Sequence, residues 1–139
     1  MTMLKVARLV PEASLPSKGS PGAAGYDLAS VEQVTILPWR MALIKTGLAI
    51  QVPPGTYGRV APRSGLSLRG CHIGAGVIDE DYRGQVGVVM YNLSNTPLQI
   101  GVGDRIAQLV LEKIASVEVE EGALEETSRG EGGFGSTGA

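Results

Sequence analysis

Glycine and proline interrupt this chain roughly every 8 to 15 residues, with 20 glycines and 8 prolines among 139 positions. The runs between them are short and β-prone: Leu4–Val10, Val34–Leu37, Met41–Ile44, Leu48–Val52, Tyr57–Val60, Gln85–Tyr91 and Pro97–Ile100. That rhythm predicts an all-β domain, an antiparallel barrel or sandwich. Pro53-Pro54-Gly55 predicts a turn, and Asn95-Thr-Pro97 and Gly101-Val-Gly103-Asp104 predict two more. Arg105–Ala115 fits two periods. Ile106, Leu109, Val110 and Ile114 would form a helical stripe, whereas Ile106, Gln108, Val110, Glu112 and Ile114 would form one strand face. A strand is expected, because the surroundings are β-rich and the ends lack helix caps. One short helical turn is expected at Ser64–Arg69, just after Pro62.

Length and charge narrow the function. A chain of 139 residues is one domain by size. Its 12 basic and 14 acidic side chains leave a net charge of −2, which does not predict a nucleic-acid surface. Glu118, Glu120, Glu121, Glu125 and Glu126 crowd one late stretch, so the remainder is mildly basic and has room for a local anion site. Cys71 and His72 are the only residues of their kinds, and they are adjacent. This excludes an internal disulfide and lacks zinc-ligand spacing. No stretch approaches the roughly 20 apolar residues of a membrane span, and the N-terminus lacks the apolar run of a secretory signal. The expectation is a soluble, cytoplasmic protein (or a nuclear one in a nucleated cell) without a targeting segment.

The last residues, Arg129-Gly-Glu-Gly-Gly-Phe134-Gly-Ser-Thr-Gly-Ala139, contain the only phenylalanine. Five of the final ten residues are glycine, so the segment cannot build a core and is costly to order. It reads either as a frayed terminus or as a lid, since a guanidinium forks onto phosphate and an aromatic ring stacks on a base. A core ending near residue 120, with an arm over 121–139, fits this layout.

Four internal segments carry chemistry. Asp27, in Ala23-Ala-Gly-Tyr-Asp27-Leu, reads as a loop-capping carboxylate or as one near a metal–phosphate site. In Pro62-Arg63-Ser64-Gly65, donors gather at a possible helix start, where backbone N–H groups favour anions; a simple Ser-capped turn is the other reading. No Gly-x4-Gly-Lys-Ser/Thr phosphate loop occurs. In Gly74-Ala-Gly76-Val77-Ile78-Asp79-Glu80-Asp81-Tyr82-Arg83-Gly84-Gln85-Val86-Gly87, the glycines leave strand backbone uncovered, and bare N–H and C=O groups can pair with a base edge. The acids and tyrosine beyond are a candidate for general-base chemistry, or a solvated acidic turn. Gly103-Asp104-Arg105-Ile106-Ala107-Gln108 reads as a polar-faced turn entering a strand.

These pieces, in this order, resemble the five motifs of the trimeric dUTPases, the deoxyuridine triphosphate nucleotidohydrolases, from Ala23 to Gly138. The resemblance implies an antiparallel β-barrel or jelly-roll subunit in a homotrimer, with three active sites each built from all three chains. It implies a dUTP diphosphatase that releases dUMP and pyrophosphate, keeping uracil out of DNA and supplying dUMP for thymidylate synthesis. Asp79 is then the base that activates a water for attack on the α-phosphorus. Gly76, Val77, Ile78 and Gly87 border the uracil, and Tyr82 stacks on the deoxyribose. Arg63, Ser64, Gly65 and Gln108 bind phosphates. From the arm, Arg129 reaches the γ-phosphate, while Phe134, followed by Gly135, covers the base. The implied cofactor is Mg²⁺ without a direct protein ligand, Asp27 anchoring waters around it. The implied partners are dUTP and two further copies of the chain, with neither nucleic acid nor membrane. One departure stands out: the connection Ser67–Ile73 looks about one residue short for the family. A deoxycytidine triphosphate deaminase of the same fold, a nucleotide-sensing regulator and a sugar-binding jelly roll are the competing readings.

Overall fold

In the computed structural model, residues 2–136 and residue 138 are described; Met1, and Thr137 and Ala139 of the expected arm, lie outside the described residues. Ten strands and one helix follow in order: β1 (Lys5–Arg8), β2 (Tyr26–Ala29), β3 (Val34–Ile36), β4 (Met41–Gln51), β5 (Thr56–Ala61), α1 (Ser64–Leu68), β6 (Cys71–Gly74), β7 (Val77–Ile78), β8 (Gln85–Asn92), β9 (Leu98–Ile100) and β10 (Arg105–Lys113). They form two four-stranded sheets, β1-β4-β8-β6 and β2-β10-β5-β7, and a two-stranded β3-β9 ribbon. Every strand pairing is antiparallel, so the all-β, jelly-roll expectation holds.

The core between the sheets is aliphatic. Leu28, Ile36, Ile44, Leu48, Val86, Val88, Met90, Ile106 and Leu109 are essentially sealed from solvent. Alternation places them: β8 reads Gln85, Val86, Gly87, Val88, Val89, Met90, with the even positions buried. Each such side chain contributes about 1.5–3 kcal/mol on burial. The buried polar residues are satisfied. Thr46 Oγ1 donates to the Val86 carbonyl at 2.6 Å, and Asn92 Nδ2 donates to the Ile36 and Thr96 carbonyls. The three expected turns lie between strands, and Gly55 and Gly103 take the positive φ that two of them need.

Three local outcomes differ from the sequence reading. The runs 41–44 and 48–52 form a single strand, β4. A bulge between Lys45 and Ala49 absorbs the intervening residues, with Gly47 at φ 69°. Tyr26–Ala29, read as a loop, is a strand in the second sheet, paired with β10. Cys71–Gly74 is a strand as well. The ambiguous 105–115 region is strand β10, paired with β2 on one edge and β5 on the other, and the helical turn forms at Ser64–Leu68. Trp39 sits at the β3–β4 turn with its Nε1 donating to Asn95 Oδ1 at 3.2 Å, and its ring stays largely exposed.

After Lys113 the chain leaves the sheets. One hydrogen bond, from Ile114 N to Gly55 O, ties it down; Ala115 to Glu131 are exposed throughout.

Cys71 is buried on β6, and burial pushes its thiol pKa up, partly offset by the Arg69 charge. Less of it is therefore thiolate near neutrality, and access is blocked. Native protein at pH 8 should resist a thiol-alkylating reagent and react after unfolding in urea, as read by mass spectrometry. Rapid native labelling would contradict this packing.

Candidate active site

The central segment changes sheets. Through Gly74 it pairs with β8 in the first sheet; from Val77 it pairs with β5 in the second. The crossing is made by Ala75 at φ 51° and Gly76 at φ 94°. Positive φ is strained for alanine. A Cβ on Gly76 would lie 2.8 Å from the Val60 carbonyl oxygen, so only glycine fits. The Gly76 carbonyl is thereby close enough to accept from Val60 N at 2.8 Å.

This crossing opens a gap. β7 is the edge of its sheet, and β6 stops pairing with β8 at Val89. Two backbone edges, along Gly76–Ile78 and Gln85–Gly87, are left without a strand partner on their facing sides. Between them lies a cleft of about 260 Å³ lined by Leu43, Val60, Ala75, Gly76, Val77, Ile78, Asp79, Tyr82, Gln85, Val86 and Gly87. Six sequence-predicted residues (Gly76, Val77, Ile78, Asp79, Tyr82 and Gly87) meet there. Leu43, Val60 and Gln85 were missed, because they come from other strands or carry no recognisable chemistry. A Cβ on Gly87 would lie 2.5 Å from Leu43 Cδ1, so the Leu43 side chain would have to move aside. Beyond β7 the chain turns at Asp79–Tyr82, with Tyr82 N donating to Asp79 O at 3.1 Å. The Tyr82 hydroxyl donates to the Gln85 carbonyl at 2.8 Å; a Cβ on Gly84 would collide with that ring. The Asp79 carboxylate is exposed and, among the described residues, enters no hydrogen bond or ion pair.

A second group lies on the outer face of the β2-β10-β5-β7 sheet. Asp27 and Gln108 are paired positions on β2 and β10. Asp27 Oδ1 is 3.3 Å from Arg63 Nε, and Oδ2 is 3.4 Å from Arg105 Nη1. Gln108 Nε2 donates to the Pro62 carbonyl at 2.9 Å, holding the turn that carries Arg63. Its amide fills the space over Gly25, where a Cβ would overlap it. Ser64 and Gly65 open α1 beside Arg63, both exposed; Arg63, not Ser64, is the helix N-cap, and no side chain caps it. Arg105 was not singled out from the sequence.

The arm residues form a third group. Arg129 Nε donates to the Gly132 carbonyl at 2.6 Å, and Gly133 N donates to Ser136 Oγ at 2.8 Å. Phe134, at φ 51°, is fully exposed, and Gly135 follows at φ 80°. No hydrogen bond among the described residues joins this loop to the cleft or to the Asp27 cluster.

The dUTPase family profile matches residues 11–138. The chain belongs to the dUTPase family. A deoxyuridine 5′-triphosphate nucleotidohydrolase of Candida albicans is 56% identical over 97% of this chain and 87% of its own length. Among solved structures, the dUTPase of Staphylococcus bacteriophage 80alpha with dUpNHpp superposes with a TM-score of 0.92 at 31% identity, covering 100% of both chains. A mutant dUTPase from phage phi11 of S. aureus, described for its coordination of a structural Mg(II) ion, superposes with a TM-score of 0.82 at 29% identity, covering 91% of this chain and 99% of that one. Among the described residues of this dUTPase, no helix is long and apolar enough to cross a membrane.

The glycine requirement at the crossing is directly testable. Gly76→Ala should push β7 off Val60, narrow the cleft and lower stability by about 1–3 kcal/mol. Urea denaturation together with dUMP titration checks this. Unchanged stability and unchanged dUMP affinity would contradict the packing described.

Proposed function

We infer that this chain is a dUTP diphosphatase, hydrolysing dUTP to dUMP and pyrophosphate. The observation that carries the reading is the cleft between two unpaired strand edges with the free Asp79 carboxylate at its mouth. Uracil presents acceptor, donor and acceptor along one edge, and bare strand backbone answers with N–H and C=O groups. Cytosine presents a different order. The tight wall at Gly87 and Leu43 disfavours the extra methyl of thymine. Tyr82, held by its bond to the Gln85 carbonyl, offers a flat face to the sugar and excludes a 2′-hydroxyl.

In the chemical step, Asp79 accepts a proton from a water as its oxygen attacks the α-phosphorus. The α–β bridging P–O bond breaks, and pyrophosphate leaves on the opposite side. Arg63, Ser64, Gly65 and Gln108 bind the phosphate chain, and positioning with charge neutralisation does most of the work. A Mg²⁺ ion accompanying the substrate would supply further neutralisation. Among the described residues, no group of three or more His, Cys, Asp or Glu is disposed to hold a metal. Asp27 has lone pairs left for the ion's waters, which fits a strongly hydrated cation taking its ligands from the substrate.

We read the assembly as a homotrimer in which each site draws on three chains. The cleft lies at the seam between the sheets, and the Asp27 cluster on an outer face. One site therefore takes its cleft from one chain and its phosphate grip from another. Two features support association. Met41, Leu43 and Tyr91 are exposed together on one face of β4 and β8, a patch suited to a partner. Phe134 is fully exposed. Residues 121–139 act as the arm, Arg129 on the γ-phosphate and Phe134 on uracil. Stacking contributes roughly 1–3 kcal/mol, while each ordered residue costs about 1–2 kcal/mol, so the arm closes only when phosphate and base contacts form together.

Asp79→Asn should keep its affinity for a non-hydrolysable dUTP analogue while turnover falls by about 10²- to 10⁴-fold. Pyrophosphate release from dUTP, with dCTP, dTTP and UTP as controls, measures it; near-normal turnover would remove the mechanism. Ammonia from dCTP would point to a deaminase instead. Truncation after Thr127 should leave the assembly intact by size-exclusion chromatography and abolish turnover. An active truncated enzyme would refute the lid.

A further inference from the structure

One wall of the cleft is the edge of β8, and that strand alternates which neighbour its backbone addresses. At its far end Asn92 N donates to the Arg40 carbonyl, on the β4 side. Leu93 N, one residue on, donates to the Gly70 carbonyl, on the β6 side. Counting back by twos, Val86 addresses β4, whereas Gln85 and Gly87 address the side where β6 has ended. The pairing of Lys45 with Gly87 agrees. Lys45 N donates to Glu32 Oε1 at 2.7 Å, and the Lys45 carbonyl accepts from Val31 N at 3.0 Å. Both Lys45 backbone groups are used away from β8, so the Gly87 N–H is turned to the cleft.

The peptide that carries this N–H is held from behind, where β4 and β8 lose their ladder. Thr46, Gly47 and Leu48 stand opposite Val86 alone, because the register passes from Lys45–Gly87 to Ala49–Gln85. Side-chain bonds replace the missing backbone ones. Thr46 Oγ1 donates to the Val86 carbonyl at 2.6 Å and accepts from Leu48 N at 3.4 Å. Gln85 Oε1 accepts from Gly47 N at 2.9 Å. A trans peptide points its C=O and N–H in opposite directions. The Val86 carbonyl and the Gly87 N–H belong to one peptide, so the Thr46 bond at one end aims the donor at the other. Thr46 is fully buried, so without its hydroxyl the Val86 carbonyl would lack a partner, a costly state for a buried acceptor.

We propose that Thr46 is a positioning residue for nucleobase selection. Its hydroxyl, sealed behind the cleft, holds the Val86–Gly87 peptide so that the Gly87 N–H meets a uracil carbonyl oxygen where cytosine would bring an amino group. This rests on the dUTP diphosphatase reading above. The Gln85 carbonyl, on the same side as the Gly87 N–H, is already taken by the Tyr82 hydroxyl at 2.8 Å. Donor and acceptor directions along this edge are therefore both set by side-chain hydroxyls. With the Thr46 hydroxyl gone, the 86–87 peptide can rock, and its carbonyl can turn to accept from an amino group.

The test uses the full-length assembled enzyme. Pyrophosphate release is measured on dUTP and on dCTP, and dUMP is titrated by calorimetry. Thr46→Val keeps the side-chain shape and removes the hydroxyl. It should weaken dUMP about 10-fold and lower the dUTP-to-dCTP ratio of kcat/KM about 10-fold, with kcat on saturating dUTP within about threefold. Thr46→Ser should return both quantities toward wild type. Gln85→Met, which removes only the tie to Gly47, should shift both in the same direction by less. Should Thr46→Val fail to assemble, Gln85→Met carries the test: a lowered ratio supports the proposal and an unchanged one overturns it. An unchanged ratio in Thr46→Val, equal losses on both nucleotides included, overturns it, as does a serine variant no better than the valine one. If the wild-type enzyme neither binds dUMP nor releases pyrophosphate from dUTP, the functional reading itself fails and takes this proposal with it.

Discussion

The site depends on a single close approach, Gly76 against the Val60 carbonyl. A chain that must leave one sheet and join the next within three residues has few options. Ala75 and Gly76 both take positive φ, and the absence of a side chain at Gly76 lets the Val60–Gly76 hydrogen bond form at 2.8 Å. That bond extends the β7–β5 pairing already made at Gly58–Ile78 and Arg59–Val77. Because β7 goes to the second sheet, the near half of β8 loses the neighbour it would have had, and two unsatisfied strand edges face each other. Exposed edges are a hazard in most β-proteins. Here we propose that the gap between them, bounded by Leu43, Tyr82 and Gly87, is the recognition element.

The same topology keeps three groups apart within one chain. The cleft sits at the seam of the sandwich and the arginine–aspartate cluster on an outer face, and among the described residues no hydrogen bond ties the arm to either. Each group is ordered locally by its own bonds: Tyr82 to Gln85, Gln108 to Pro62, Arg129 to Gly132. Each also leaves reactive or apolar atoms unused. A carboxylate without a partner, guanidiniums in excess over carboxylate, and a fully exposed phenylalanine are complementary deficits that the proposed assembly with substrate would relieve together. Under the proposed lid, the cost of ordering the glycine-rich arm would make closure conditional on the correct base and the full triphosphate.

Much of this was legible in the sequence, because it depends on local rules. Turn glycines and short β-prone runs located six of the strands, β1, β3, β4, β5, β8 and β9, and the glycine-bordered acidic segment located the cleft. What was missed has non-local causes. Tyr26–Ala29 is short, lacks clear alternation and follows a glycine, so only its pairing with β10 makes it a strand. The split of β4 into two runs came from reading Gly47 as a break when it is a bulge. Val60 and Leu43 are ordinary strand residues that become cleft walls through pairing. Arg105 was hidden because a bulge shifts the alternation by which a strand's faces are read.

Subunit complementation tests the central claim most directly. Full-length Asp79→Asn chains and wild-type chains truncated after Thr127 are each expected to be inactive when assembled alone. Unfolded together and refolded as mixed assemblies, they should regain a substantial fraction of wild-type pyrophosphate release, since a truncated chain supplies the carboxylate and an Asp79→Asn chain supplies the arm. Mixed assemblies that form, yet stay as inactive as either parent, would contradict sites shared between chains.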